Sequence, residues 1–176
     1  MNYGLTTFYI RPKHLALDTS GKIETITDVL LYSEKVNNKY YDYILDLDVT
    51  SPLRTIFDLE EALKLIKNDT RAINIFSVNH ASRNPYFNMV EKKDNGYYGL
   101  VKNGDFLSRQ TSPVVYDMNA SFYFFKRVFF KSGYKTSTTD KSLVYIMPHI
   151  CFDLDYPIDF EFMEYLLEKN KLGFEL

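Results

Sequence analysis

Between Leu5 and Val78 the chain alternates three short β-branched or aromatic runs with two amphipathic ones, and this rhythm restricts the fold more than any other feature. Leu5-Thr6-Thr7-Phe8-Tyr9-Ile10 is strand-like and stops at Pro12. Ser20 is placed to cap a helix from about Lys22 to Lys35, with Ile23, Ile26 and Leu30 on one face. Tyr43–Leu47 reads as a second strand, broken by Ser51-Pro52. Thr55 to Asp58 resembles a capping box with Asp in the place of Glu. The helix after it carries Leu59, Ala62, Leu63 and Ile66 at i, i+3, i+4 and i+7. Ala72 to Val78 is a third strand. Strands and helices in strict alternation predict an α/β fold on a mostly parallel sheet.

After Val78 the rhythm breaks. Residues from about 82 to 112 hold extended segments around the turn Asp94-Asn95-Gly96, which predicts a small antiparallel lobe. Ser121–Phe125 and Leu143–Met147 return to buried-strand character, and Pro157 opens a closing helix that runs to about Lys169. One domain, 1–176, accounts for the whole pattern.

The bulk numbers exclude several classes. Hydrophobic residues at 45% and charged residues at 25% are ordinary for a folded domain, so disorder is not expected. A net charge of −2 supplies no basic field for nucleic acid. No apolar run approaches the roughly 20 residues that span a bilayer, and Met1–Thr6 has no signal-peptide character. The expected location is therefore cytoplasmic, with no membrane partner. Cys151 is the lone cysteine and reads as a buried apolar residue. The 15 Tyr and 14 Phe lie within strand-like runs, where they fill core and interface.

Few residues carry chemistry. Asp153-Leu154-Asp155 follows a strand and precedes a helix; extended, its two carboxylates share a face and suit a hard cation such as Mg²⁺. It lies beyond a strand's carboxyl end, where open α/β sheets bind ligands. Thr50–Thr55 lies in the same kind of place, and Ser51 and Arg54 there are candidate anion contacts. A plain strand-to-helix turn explains the same residues. Asp46 and Asp48 end the second strand, facing either the site or solvent. Arg11, Arg109 and Gln110 are further candidates for anion or sugar contacts. His14, His80 and His149 match no metal spacing, and no Gly-rich phosphate loop occurs.

Taken in order, these segments resemble the acylneuraminate cytidylyltransferases, the CMP-sialic acid and related CMP-nonulosonate synthetases. Leu47–Thr55 is similar to their "LQPTSPLRT" segment, and Ile10–Thr19 to their "LRPxxLAxDT" stretch. Tyr116–Tyr123 resembles their "NGxIY" strand, and Phe152–Asp155 with Ile158-Asp159-Phe160 resembles "DIDTxxDF". The resemblance implies a nucleotidyltransferase that joins a nine-carbon 2-keto sugar acid to CMP from CTP, releasing pyrophosphate. It implies a doubly wound, Rossmann-like sheet and a homodimer formed through the lobe at about 82–112. Asp153 and Asp155 would then be catalytic and hold Mg²⁺. Arg11, Ser51 and Arg54 would lie on the nucleotide side, and Asp48, Arg109, Gln110 and Asn119 on the sugar side.

Three departures shape the expectation. Asp48 replaces the amide of "LQPTSPLRT". Asn84–Val90 lacks a lysine found in the sialic acid enzymes, which resembles the branch for legionaminic or pseudaminic acid. The family's opening strand and R-x-G-S-K-x-x-x-x-K-N loop have no counterpart in this sequence, so the expected sheet is a truncated one that grips CTP poorly. Leu5–Ile10 is then expected to move over and pair directly beside Tyr43–Leu47, because buried backbone needs partners. The alternative to the enzyme is an inactive remnant of the family that serves only as a dimerising or binding module.

Overall fold

In the computed structural model, which describes Gly4 and residues 6–176, the alternating first half folds around one sheet. Helix α1 spans Lys22–Asn37 and buries Ile23, Leu30 and Glu34. Gly21, not Ser20, is its N-cap. The Ser20 hydroxyl donates to the His14 carbonyl and accepts from the Leu17 N–H, closing the turn before the helix. Strand β1 is Tyr43–Leu47 and helix α2 is Ile56–Asn68. The capping box at α2 is present as read: the Thr55 hydroxyl accepts from the Asp58 N–H at 3.1 Å, and the Asp58 carboxylate accepts from the Thr55 N–H at 2.7 Å. Strand β2 follows as Asn74–His80.

Strands β3 (Val90–Lys92) and β4 (Tyr98–Leu100) pair antiparallel as the expected hairpin, with Val90 opposite Leu100. Gly96 takes φ +83° in the turn, a conformation that L side chains rarely adopt. Strand β5, Tyr116–Lys126, is longer than the sequence suggested. Helix α3 (Arg127–Lys131), strand β6 (Ser142–Ile146) and helix α4 (Pro157–Glu168) complete the order.

The main sheet has the order β1-β5-β2-β6. Here the expectation of a mostly parallel sheet is corrected, within an α/β fold that stands as expected. β5 runs antiparallel to β1, with Tyr43 opposite Lys126 and Leu47 opposite Phe122. Hydrogen bonds from Lys126 N–H to Ile73 O and from Ala81 N–H to Val115 O show it antiparallel to β2 as well. Bonds from Ile73 N–H to Lys141 O and Met147 N–H to Val78 O make β6 parallel to β2. The reason lies in the connection. Parallel neighbours need a crossover, usually helical, and the stretch from β2 to β5 carries only a hairpin. β5 therefore returns antiparallel and inserts between β1 and β2.

Residues Thr6–Ile10 form no strand, and Leu5 lies outside the described residues. The pairing expected beside Tyr43–Leu47 does not occur among the described residues, where β1 stands at the end of the strand order. Contacts with α1 hold the segment instead. Tyr9 donates its hydroxyl to Asp28 at 2.7 Å, its ring meets Tyr32 edge-on at 5.2 Å, and Arg11 donates to the Thr25 hydroxyl at 3.1 Å.

The chain divides into two compact units. The first takes residues to Asp48, Thr55–Phe76 and Phe122–Val144. Its core is aromatic: Phe122, Phe125 and Phe129 are fully buried with Ala62, Ile66 and Ile75, and the Phe125 and Phe129 rings lie 4.7 Å apart. The Arg127 guanidinium grips Glu34 through two hydrogen bonds, at 2.6 and 2.7 Å, tying α3 to α1. The second unit takes Val49–Arg54, Ser77–Ser121 and Tyr145–Leu176, with Leu53, Val78, Met147, Met163 and Leu166 buried. The carboxyl ends of β2 and β6 and the amino half of β5 belong to this unit.

Candidate active site

Three segments meet in the second unit. Val49–Arg54 leaves β1, Asn119–Ser121 lies within β5, and Cys151–Asp155 follows β6. Ser51 is fully buried, and its hydroxyl donates to the Asn119 carbonyl at 2.7 Å. The Ser121 hydroxyl returns the link by donating to the Ser51 carbonyl at 3.0 Å. Arg54 is turned inward too: its Nη1 donates to the Ser51 and Ser121 carbonyls at 2.7 and 2.9 Å. A guanidinium spent on backbone carbonyls braces the turn.

Asn119 is the hub. Its amide oxygen accepts from the Ser77 hydroxyl and from the Ser121 N–H, and its amide nitrogen donates to Asn79. Asn119 is buried, so these bonds use the side chain internally rather than offering it to solvent. Ala120 follows with φ +55°, a left-handed conformation costly for a residue with a Cβ. Its neighbours Asn119 and Ser121 are both buried and both enter the network. In the "NGxIY" pattern this position is glycine.

The Leu154 N–H donates to the Thr50 carbonyl at 2.8 Å, which fixes Asp153-Leu154-Asp155 against the loop after β1. Asp153 is half-buried with Oδ1 shielded from solvent, and Asp155 is exposed. Asp159, in the first turn of α4, accepts from the N–H groups of Asp155 and Tyr156, at 3.1 and 2.8 Å. No group of three or more His, Cys, Asp or Glu gathers among the described residues. Two hard carboxylate donors fit Mg²⁺, which takes one or two from protein and fills its other positions with water and phosphate. Burial pushes the Cys151 thiol up, against the lowering hydrogen bonds of Ser51 and Ser121, and Asp153 raises it further.

Arg109 and Gln110 lie elsewhere in this unit. Arg109 donates to the Ala81 carbonyl at 2.8 Å. With Gln110, His80 and Asn84 it lines a cavity of about 220 Å³. In the first unit Arg11 rests on Thr25, and Asp48 takes part in an ion-pair cluster. The Lys22 ammonium lies 2.8 Å from Asp46, 3.6 Å from Asp48 and 4.2 Å above the Tyr123 ring. Burial opposes that charge, but the hydrogen bond to Asp46 and the nearby carboxylates outweigh it and hold Lys22 above its ordinary pKa.

The chain matches no family model. Among curated proteins it is 37% identical over 175 residues to post-translational flagellin modification protein B of Campylobacter coli, covering 98% of this chain and 72% of that one. It is 35% identical over 171 residues to the CMP-N,N'-diacetyllegionaminic acid synthase of Campylobacter jejuni, covering 97% and 72%. The chain belongs to the CMP-nonulosonate synthetases. The synthase of the same name from Legionella pneumophila is 26% identical over 177 residues, covering 97% and 73%.

Against the sites expected for a CMP-nonulosonate synthetase, the structure joins Ser51, Arg54, Asn119 and Asp153–Asp155 in one unit. It does not join Arg109 and Gln110 to that network through any hydrogen bond among the described residues. Sequence reading missed Ser77, Asn79 and Ser121, whose role is to hold Asn119, and such small polar residues within strands leave no pattern. Lys22 was also missed. Its signal was present: a carboxylate at position 48 in place of an amide calls for a counter-charge.

Proposed function

We propose that this CMP-nonulosonate synthetase transfers CMP from CTP to the anomeric hydroxyl of a nine-carbon 2-keto sugar acid, with a legionaminic-type acid as substrate. The new bond joins the anomeric oxygen to the α-phosphorus, the bond to the β-phosphate oxygen breaks, and pyrophosphate leaves. Such a displacement needs alignment and charge neutralisation more than covalent help. Asp153 and Asp155 would hold Mg²⁺, which supplies charge neutralisation at the triphosphate when bound. The braced loop keeps those carboxylates in place, and Ser51, Arg54 and Asn119 serve as its frame. Arg11 is assigned to the nucleotide, and Asp48, Arg109 and Gln110 to the sugar. The lobe at 82–112 is assigned to a homodimer interface.

The observation that carries the reading is the Leu154–Thr50 tie, which seats the paired carboxylates on the loop that resembles "TSPLR". The test supplies the chain with the remainder of the C. coli relative's length, CTP, Mg²⁺ and N,N'-diacetyllegionaminic acid. Formation of a CMP-sugar with equimolar pyrophosphate is expected. Tight binding of the free sugar acid with no pyrophosphate release would favour the inactive binding module.

A further inference from the structure

The segment after α4 doubles back within the second unit. Asn170 at φ +49° and Gly173 at φ +77° both take left-handed conformations. The Lys171 N–H donates to the Leu166 carbonyl at 2.8 Å, which ends the helix in a tight reversal. The Lys171 ammonium pins that reversal by donating to the Tyr165 hydroxyl at 2.8 Å. Phe174 is thereby carried back past the helix end, where it lines a cavity of about 490 Å³ with Leu166, Leu167, Asn170 and Gly173. Its ring stays half-buried, outside the core that closes on Met163 and Leu166. It lies instead on the His149 imidazole, with ring centres 3.7 Å apart and planes 21° from parallel.

His149 stands where the carboxylate loop begins. Its carbonyl accepts from the Asn79 amide at 3.4 Å, and Asn79 in turn accepts from Asn119, the hub of the network. Further along the loop, Phe152 meets Phe162 of α4 at 5.5 Å, and the Leu154 N–H reaches the Thr50 carbonyl. The loop is thus clipped along its length, and the stack on His149 is the clip that the segment after α4 supplies. A ring placed there for burial alone would turn toward Leu166 and Leu167. A stacked aromatic pair adds attraction beyond the area it covers, and its partner here is a loop residue. We propose that Phe174 is a positioning residue: its stack on His149 holds the start of the loop and, through it, the seat of Asp153 and Asp155. Its bearing on catalysis rests on the reading of those carboxylates as the Mg²⁺ site. Metal ligands depend on such outer contacts for their orientation.

Exchange of the Leu154 amide reports the loop's seat in the chain alone, with no nucleotide, sugar or metal present. Phe174→Ala is expected to speed it by about tenfold, with the thermal transition and the β2 amides unchanged. Phe174→Tyr, which keeps the ring, is expected to restore it. His149→Ala is expected to speed the same amide, and the double variant to go no further than either single one. With the remainder of the C. coli relative's length supplied, Phe174→Ala is expected to raise the Mg²⁺ concentration for half-maximal CMP-sugar formation by about fivefold, with the rate at saturating Mg²⁺ kept. An unchanged Leu154 amide, additive effects of the two variants, or a lowered transition with faster exchange throughout the second unit would each overturn the proposal. Faster Leu154 exchange with an unchanged Mg²⁺ dependence would uphold the stack's hold on the loop and count instead against the carboxylates as the metal site.

Discussion

Lys22 stands between two carboxylates at the end of β1, and its removal leaves Asp46 and Asp48 facing each other without a counter-charge. The cluster is partly exposed, so the pair's worth must be discounted for solvent screening. Lys22→Met is expected to lower stability by about 0.5–1 kcal/mol in urea unfolding, and Asp48→Asn in that background is expected to regain part of it. Additive losses in the two variants would separate Asp48 from Lys22. Ala120 gives a second residue-scale prediction. Its φ of +55° tolerates alanine at a cost and a β-branched side chain at a greater one. Ala120→Val is expected to destabilise by about 2 kcal/mol or more, whereas Ala120→Gly is expected to be neutral or gain up to about 1 kcal/mol. Equal stability of the two variants would mean that the left-handed turn is not kept in solution.

Elements here are held by a few clips, and one is pH-dependent. Hydrogen bonds from Arg127 hold the Glu34 carboxyl below its usual range, against the effect of burial, with the Tyr41 N–H assisting. A carboxylate depressed in the folded state contributes stability above its unfolded pKa and loses it as pH falls through the folded value. Melting temperature is therefore expected to be flat near neutrality and to fall below about pH 4.5, and Glu34→Gln is expected to flatten that acid limb. An unchanged acid limb in Glu34→Gln would assign the loss to other groups. Much at this scale was legible beforehand. Local chemistry fixed α2 through Thr55 and Asp58, β1 through its apolar run, and the β3–β4 turn through Asp94-Asn95-Gly96. The place and direction of β5 were not legible, because they depend on a long connection that lacks a helix. Thr6–Ile10 has strand composition, yet composition cannot say whether a sheet edge is on offer.

At the scale of the molecule, the assignment of the lobe rests on surface. Phe87, Met89, Val90, Tyr97 and Tyr98 expose apolar area that a two-stranded hairpin cannot bury on its own. Light scattering at high micromolar concentration is expected to give a dimer that Tyr98→Glu dissociates, and a monomer would refute the interface. The site was legible in part. Paired carboxylates and the Thr50–Thr55 segment were visible as residues, but that Ser51, Arg54 and Asn119 point inward required their partners from β2 and β5. The central claim is that Asp153 and Asp155 are the working carboxylates of a cytidylyltransferase. Its most direct test is the rate of CMP-sugar formation at saturating Mg²⁺ in Asp155→Asn, with the chain supplied at the relatives' full length. A loss of about 100-fold or more with an unchanged unfolding transition is predicted. A near-normal rate would contradict it.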